Sequence, residues 1–161
     1  MSFQKRLTLL KTNAVISVVD DDASVRNSLR RLLTSMGFEV RIFPSALEFL
    51  HKGPLHDYGC VIVDVRMPEI NGLDLQKRLA DSGVPLPIIF ITAYEDPGVR
   101  AQAMQAGALA FFQKPFNEAS LTDAICLALE RSRQQTVGSS ETVGKNVQAY
   151  LQISDIKKQR R

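Results

Sequence analysis

The feature of this 161-residue sequence that most restricts its fold is a set of short, uninterrupted apolar runs. The strong ones are AVISVV at 14–19, CVIVD at 60–64 and PIIFIT at 87–92, and weaker ones are EVRIF at 39–43 and ALAFFQ at 108–113. Strands that are apolar without alternation are covered on both faces, as in a parallel sheet. The runs therefore predict five strands of a buried parallel sheet.

Helical patterns fill the intervals between these runs. After each predicted strand, apolar residues recur with the 3.6-residue period of a helix or form a short helical segment. They are Val25, Leu29, Leu32, Leu33 and Met36 before Gly37; PSALEFL at 44–50; Leu73, Leu75 and Leu79; Val99, Ala103, Met104 and Ala106; and Leu121, Ala124, Ile125, Ala128 and Leu129, with Asn117 as the N-cap. Five strands alternating with five helices predict an α/β fold built on an open, doubly wound parallel sheet.

The length suits one domain, and the charges are distributed unevenly along it. Residues 1–133 hold 15 basic and 15 acidic side chains, whereas residues 134–161 hold five basic and two acidic ones. We therefore predict an N-terminal extension at 1–11, a folded domain at 12–133, and a linker with a basic tail at 134–161. Residues 145–161 suit either a marginal amphipathic helix or a disordered tail. The balanced domain gives no indication of direct nucleic-acid binding.

Several functional classes are excluded by what the sequence lacks. No apolar run approaches the roughly 18–20 residues that span a bilayer, and the N-terminus lacks the apolar stretch of a signal peptide. We therefore expect a cytoplasmic protein without membrane contact. Cys60 and Cys126 have neither metal-site nor redox-motif spacing, so we expect buried thiols. No Cys–His or Ser–His–Asp set indicates nucleophilic catalysis, and we do not expect a metabolic enzyme.

Polar residues gather at the ends of the predicted strands. The first strand ends in three aspartates at 20–22, the third in Asp64 and the fourth in Thr92, and the fifth leads to Lys114. In a doubly wound sheet, ligands bind at the carboxyl ends of the strands, near the point where the strand order reverses. We therefore expect carboxylates, a hydroxyl group and an ammonium group to meet at one edge of the sheet.

This set of side chains suits a particular chemistry. Asp20, Asp21 and Asp64 are clustered hard oxygen ligands of the kind that Mg²⁺ prefers, and their mutual repulsion requires a nearby cation. A carboxylate beside Mg²⁺ can attack a phosphoryl group and form an acyl phosphate. Thr92 and Lys114 would then supply a hydrogen-bond donor and a fixed positive charge for the phosphoryl oxygens.

Four segments together carry a family resemblance. They are VVDDDASVR, VIVDVRMPEINGLDL, IIFITAY and GALAFFQKPF, and they follow one another within residues 12–132. In this order they resemble the receiver domains of two-component response regulators, and DVRMP and QKPF resemble the FixJ-like group. The resemblance implies a CheY-like fold with the strand order 2-1-3-4-5.

The resemblance also implies roles for residues of the acidic cluster. Asp20 and Asp21 match the acidic pair that holds Mg²⁺, and the backbone carbonyl of Arg66 would be a further metal ligand. Asp64 matches the phosphoacceptor. Structural positions of the site are matched by Pro68, Gly72 and Pro115.

Three further positions match residues that respond to the phosphoryl group. Thr92 matches the hydroxyl switch residue, and Lys114 matches the lysine that pairs with the phosphoryl group. Phe111 matches an aromatic residue that swings inward when the threonine moves; Phe or Tyr is usual there, so this chain lacks only the hydroxyl. The peptide bond between Lys114 and Pro115 is usually cis in this family.

Some residues allow two interpretations. Asp22 either starts the first helix, where an acidic side chain interacts favourably with the helix dipole, or supports the metal site from outside the ligand set. Arg66 and Tyr94 lie at positions that tune the phosphoryl lifetime in the family, or they are only surface cover. Leu127 lies off the apolar stripe of the last helix, and is either an incidental exposed leucine or part of a contact face.

Together these matches imply a signalling module. A sensor histidine kinase or a phosphotransfer protein would phosphorylate Asp64, and the change would reach a face made by the fourth helix, fifth strand and fifth helix. That face would form a homodimer or dock a downstream protein. Two alternatives stay open: a receiver-shaped binding module that works without phosphorylation, and the receiver part of a FixJ-like transcription regulator lacking its DNA-binding domain.

Overall fold

The computed structural model describes Lys5, Thr8, residues 14–52 and residues 55–137. Within these residues the strands are β1 (Val15–Val19), β2 (Glu39–Phe43), β3 (Tyr58–Asp64), β4 (Ile88–Thr92) and β5 (Ala110–Gln113). The α-helices are α1 (Ala23–Ser35), α2 (Ala46–His51), α3 (Gly72–Asp81), α4 (Pro97–Gln105) and α5 (Glu118–Val137), and a 3₁₀ turn spans Leu55–Asp57. The predicted tail beyond Val137 and nearly all of the predicted N-terminal extension lie outside the described residues.

The five strands form one parallel sheet in the order β2-β1-β3-β4-β5. This confirms the predicted doubly wound fold and its strand order. The chain runs outward from β1 in one direction and from β3 in the other, so β1 and β3 are neighbours at the point of reversal. Val19 pairs with Val63, so both strands end at the same edge of the sheet.

The central strands are covered on both faces, which explains their uninterrupted apolarity. One face contributes Val19, Val63 and Phe90 to a core with residues of α2, α3 and α4. The opposite face contributes Ile62 and Ile91 to a core with residues of α1 and α5. Successive side chains along each central strand therefore enter two different apolar cores, one on each face of the sheet, and neither face is exposed to solvent at these strands.

Each α-helix begins at a side-chain cap, which satisfies backbone N–H groups that have no partner within the helix. The caps of α1 to α5 are, in order, Asp22, Ser45, Asn71, Asp96 and Asn117. The predicted cap at Asn117 is confirmed, because its Oδ1 accepts a hydrogen bond of 3.1 Å from the amide of Ser120. Gly37, with φ of 89°, follows α1 as predicted.

The structure departs from the sequence-based expectations in two of the helices. Helix α5 continues to Val137, four residues into the segment that we assigned to the linker. Met104 in α4 and Ala106, the C-cap directly after it, are both exposed, so their predicted place on the apolar stripe is wrong. Only Ala103 of α4 is fully buried, because this short helix turns a narrow face to the core. Leu127 lies off the buried stripe of α5, as predicted, with 43% of its surface exposed.

Two further expectations concern burial. Cys60 and Cys126 are both buried free thiols, as predicted. Burial raises the pKa of the Cys60 thiol to about 12, which keeps it protonated and unreactive at neutral pH.

Among the described residues, no helix has the length and apolar character needed to cross a membrane.

Candidate metal centre

Three carboxylates meet where β1 and β3 end. Asp20 and Asp21 directly follow β1, and Asp64 is the last residue of β3. One carboxylate oxygen from each residue lies within 4.8 Å of the other two. Asp20 is buried, Asp64 is partly buried and Asp21 is exposed. The predicted convergence of these side chains is therefore present in the fold, because the two strands are parallel neighbours.

Lys114 supplies the positive charge of this cluster. Its Nζ lies 3.2 Å from Oδ2 of Asp20 and 3.8 Å from Oδ2 of Asp64. The Lys114 amide donates a 2.7 Å hydrogen bond to the carbonyl of Thr92, which fixes the start of the β5–α5 loop against the end of β4. The peptide bond between Lys114 and Pro115 is cis, as the resemblance predicted.

The protonation of Asp64 reflects this crowded setting. Burial raises the pKa of the Asp64 carboxyl above its usual value, and repulsion by the Asp20 carboxylate raises it further. The ammonium group of Lys114 and the amide of Arg66 act in the opposite direction without cancelling the increase. The ionised cluster therefore carries more negative charge than Lys114 offsets.

The donor set fits Mg²⁺. All three ligand groups are carboxylates, the hard oxygen donors that Mg²⁺ selects, and exposed Asp21 leaves room for the waters that this ion retains. After burial, the largest cause of the raised pKa of Asp64 is repulsion by the Asp20 carboxylate, and a bound cation would offset this repulsion. The predicted metal role of the Arg66 carbonyl stays a prediction.

Asp22 belongs to the helix that follows it. One oxygen of its carboxylate accepts hydrogen bonds from the Ser24 amide at 2.8 Å and the Ser24 hydroxyl at 2.6 Å. The Ser24 hydroxyl is the main reason why the pKa of Asp22 is lowered. Of the two interpretations of Asp22, the structure therefore supports the helix start.

Thr92 lies at the end of β4 with its side chain buried. Its Oγ1 donates a 3.0 Å hydrogen bond to the carbonyl of Tyr94 and accepts a 3.3 Å hydrogen bond from the Tyr94 amide. The hydroxyl is thus engaged with the backbone of the β4–α4 loop. It would have to exchange these partners to reach a group bound at Asp64.

Phe111 lies inside the fold, with 5% of its surface exposed. Its ring centroid is 5.9 Å from that of the fully buried Phe90, the neighbouring residue on β4. The guanidinium carbon of Arg100 lies over the Phe111 ring, 4.9 Å from its centroid. Sequence reasoning identified Phe111 but missed Arg100, since no motif or spacing marks this arginine.

Arg66 and Tyr94 make a second cation–π pair beside the cluster. The guanidinium carbon of Arg66 lies 5.1 Å from the centroid of the Tyr94 ring. The Arg66 amide also donates a 3.2 Å hydrogen bond to Oδ1 of Asp64. The two side chains predicted to flank the site therefore contact each other, although both are exposed.

The loop between β3 and α3 depends on Gly72, the first residue of α3. The Gly72 amide donates a 2.9 Å hydrogen bond to the carbonyl of Val65, which folds the loop back onto the strand end. A Cβ atom at this position would lie 2.5 Å from the backbone carbonyl oxygen of Asp64 and 2.9 Å from the Phe90 ring. Gly72 thus permits the close packing that holds Asp64 in place. Pro68 lies exposed in the same loop.

A Gly72→Ala substitution is expected to destabilise the protein by about 2 kcal/mol, within the usual range for overpacking. The added methyl group collides with backbone that cannot move without displacing Asp64. Urea unfolding measures the change. Gly98→Ala is the control, since its Cβ would meet only a capping side-chain oxygen of Asp96 at 3.3 Å. Equal stability of the two variants would contradict the packing argument.

Comparison with known proteins shows which family this chain resembles. The family model described as the response regulator receiver domain matches residues 16–126. The transcriptional regulatory protein TdiR of Thauera aromatica is 44% identical over 128 residues, which is 80% of this chain and 56% of TdiR. The transcriptional regulatory protein FixJ of Bradyrhizobium diazoefficiens is 39% identical over 142 residues, 88% of this chain and 68% of FixJ. The chain thus spans just over half the length of TdiR.

Solved structures agree with the sequence relatives. The structure of FixJ-N superimposes with a TM-score of 0.68 at 37% identity, covering 74% of this chain and 95% of FixJ-N. The response regulator StyR gives a TM-score of 0.74 at 40% identity, covering 83% of this chain and 69% of that structure. The acidic cluster, the lysine beside it and these matches lead to one conclusion: the chain belongs to the family of response regulator receiver domains.

Proposed function

We propose that this chain is a phosphoacceptor receiver that takes a phosphoryl group on Asp64 from a histidine kinase or a phosphotransfer protein. The observation that carries the proposal is the position of Lys114, whose ammonium group lies between the carboxylates of Asp20 and Asp64. This arrangement places an acceptor oxygen beside a fixed positive charge and a metal-binding acidic cluster. It supports phosphoryl transfer better than passive protein binding, for which no such cluster is needed.

In the transfer, a carboxylate oxygen of Asp64 attacks phosphorus and forms a P–O bond. The P–N bond to the donor histidine breaks, and its electron pair stays on the imidazole nitrogen. The Arg66 amide, which donates to Oδ1 of Asp64, holds the carboxylate in one orientation for this attack. Hydrolysis later returns the carboxylate when water attacks phosphorus and the same P–O bond breaks.

Asp20, Asp21 and Asp64 would hold Mg²⁺, together with the predicted carbonyl ligand of Arg66. When bound, the ion would offset the negative charge of the carboxylates and of the incoming phosphoryl oxygens. Lys114 contributes a further positive charge for those oxygens, since its Nζ already lies 3.8 Å from Asp64. Asp20 keeps Lys114 at this position through the closer contact of 3.2 Å.

The response begins at Thr92. Its hydroxyl would leave the carbonyl of Tyr94 and donate to a phosphoryl oxygen, which frees the β4–α4 loop to shift. When the loop has shifted, the ring of Phe111, on the neighbouring strand, lies inward. Phosphorylation thus shifts an equilibrium between two arrangements of the face made by α4, β5 and α5. Arg66 and Tyr94 tune how long the phosphoryl group survives.

The face made by α4, β5 and α5 is the proposed contact surface for a second copy or a downstream protein. Two of its elements carry an exposed apolar side chain, Met104 on α4 and Leu127 on α5. Control of transcription through a DNA-binding output is a second candidate, because TdiR and FixJ are described as transcriptional regulatory proteins. We propose that the protein works in the cytoplasm and is not a metabolic enzyme.

Incubation with acetyl phosphate tests the proposal. We expect the intact mass to rise by one phosphoryl group in Mg²⁺, and to stay unchanged in EDTA. The modification should be removed by hydroxylamine, which cleaves acyl phosphates but not phosphoserine or phosphothreonine. An unchanged mass in Mg²⁺ would favour the receiver-shaped binding module, and a hydroxylamine-stable modification would contradict the assignment to a carboxylate.

A further inference from the structure

The side chain of Arg100 connects two parts of the chain that the proposed switch requires to move together. Its Nε lies 3.1 Å from Oε1 of Glu95 in the β4–α4 loop. Its guanidinium carbon lies over the ring of Phe111 on β5, 4.9 Å from the centroid. One planar cation on α4 therefore contacts both the loop that follows Thr92 and the aromatic residue on the next strand.

Phe111 already occupies the inward position in this structure. Its ring packs against the ring of Phe90, which lies against Gly72 and hence close to the backbone of Asp64. The Arg100 guanidinium covers the Phe111 ring while remaining partly exposed to water itself. The ring is thus enclosed between an aromatic core residue and a surface cation.

We propose that Arg100 is a positioning residue that holds Phe111 inward, with Glu95 fixing the guanidinium over the ring. This inference rests on the proposed function, in which the inward ring accompanies phosphorylation. A cation over an aromatic face is attracted by the negative face of the ring, and arginine suits this role because its guanidinium is planar and weakly hydrated. The attraction is present only while the ring lies under the guanidinium, so it shifts the equilibrium toward the inward state.

The expected consequence follows from linkage. If a phosphoryl group at Asp64 favours the inward ring, then a residue that favours the inward ring must also strengthen binding of a phosphoryl mimic, by at most the factor by which it shifts the ring equilibrium. An exposed cation–π contact changes such an equilibrium about two- to fivefold. Removal of the Arg100 guanidinium should therefore weaken binding of the mimic by up to about that factor.

Titration with beryllofluoride in the presence of Mg²⁺ measures this effect. Arg100→Gln is expected to bind beryllofluoride about two- to fivefold more weakly than the wild type. Arg100→Lys, which keeps the charge, should lose less beryllofluoride affinity than Arg100→Gln. Arg41→Gln is the matched control, because Arg41 also pairs with a nearby glutamate, Glu39, but lies on β2 at the far edge of the sheet. Equal affinities of Arg100→Gln and the wild type would overturn the inference.

A Phe111→Leu background separates positioning from a general structural role. There, Arg100→Gln should leave the beryllofluoride affinity unchanged, since the ring that Arg100 contacts is gone. An equal loss in both backgrounds would show that Arg100 acts without Phe111, and would overturn the inference.

Fluorine NMR tests the ring position independently of any phosphoryl chemistry. The eight phenylalanines can be labelled with 4-fluorophenylalanine, and the Phe111 signal identified by its loss in Phe111→Leu. In Arg100→Gln this signal should move toward the solvent-exposed range, whereas in Arg41→Gln it should not. A wild type that binds no beryllofluoride would count against the proposed function, while an unmoved fluorine signal would count against Arg100 alone.

Discussion

An Asp64→Asn variant is expected to take up no phosphoryl group from acetyl phosphate in Mg²⁺, under conditions in which the wild type is fully modified. The carboxamide that replaces the carboxylate has no negative oxygen to attack phosphorus and cannot form an acyl phosphate. Intact mass spectrometry measures the loss. Asp81→Asn is the control, since Asp81 is an exposed aspartate at the end of α3, paired with Lys77.

The same variant is expected to unfold at a higher temperature than the wild type in EDTA. The raised pKa of Asp64 means that its charged form is less favourable in the folded protein than in the unfolded chain. Removing the charge removes this penalty. A higher unfolding temperature would also show that the inactive variant is folded. Retained phosphoryl uptake by Asp64→Asn would reject Asp64 as the acceptor, whatever its stability.

The convergence of the carboxylates was predictable because it depends on features that the local sequence encodes. Uninterrupted apolar runs mark where strands end, and parallel strands bring those ends to one edge of a sheet. Asp20 and Asp64 therefore meet although they lie 44 positions apart in the chain. The role of Asp22 in starting α1 was predictable for a similar reason, since capping involves only residues next to it in the chain.

The contacts of Thr92 and Arg100 were not predictable in the same way. Whether the Thr92 hydroxyl faces the cluster or the Tyr94 carbonyl depends on a single side-chain rotation, which no sequence period determines. The contact of Arg100 with Phe111 requires α4 to pack beside β5 in one orientation, because the two residues belong to different elements. For the same reason the exposure of Met104 was missed: the helical period was visible, but not which side of α4 faces the core.

Replacing Lys114 by methionine is expected to lower the free energy of unfolding by about 2–4 kcal/mol in EDTA at neutral pH. Asp20 is buried and lies 3.2 Å from Nζ, so the substitution leaves a buried carboxylate without its cation and beside Asp64. The expected loss is somewhat below that of a fully buried pair, because Lys114 retains contact with water. Urea unfolding gives the value, and Mg²⁺ should restore more stability to the variant than it adds to the wild type.

Lys77→Met provides the matched control for this substitution. Lys77 and Asp81 form a shorter contact of 2.8 Å, but both side chains are largely exposed, so the loss should stay below about 1 kcal/mol. The burial of the carboxylate, rather than the length of the ion pair, is thus the variable under test. In the double variant Lys114→Met with Asp20→Asn, part of the lost stability should return because the unpaired buried charge is gone. If Lys114→Met and Lys77→Met lower the free energy of unfolding by the same amount, Lys114 does not neutralise the cluster in the way that its position at the site implies.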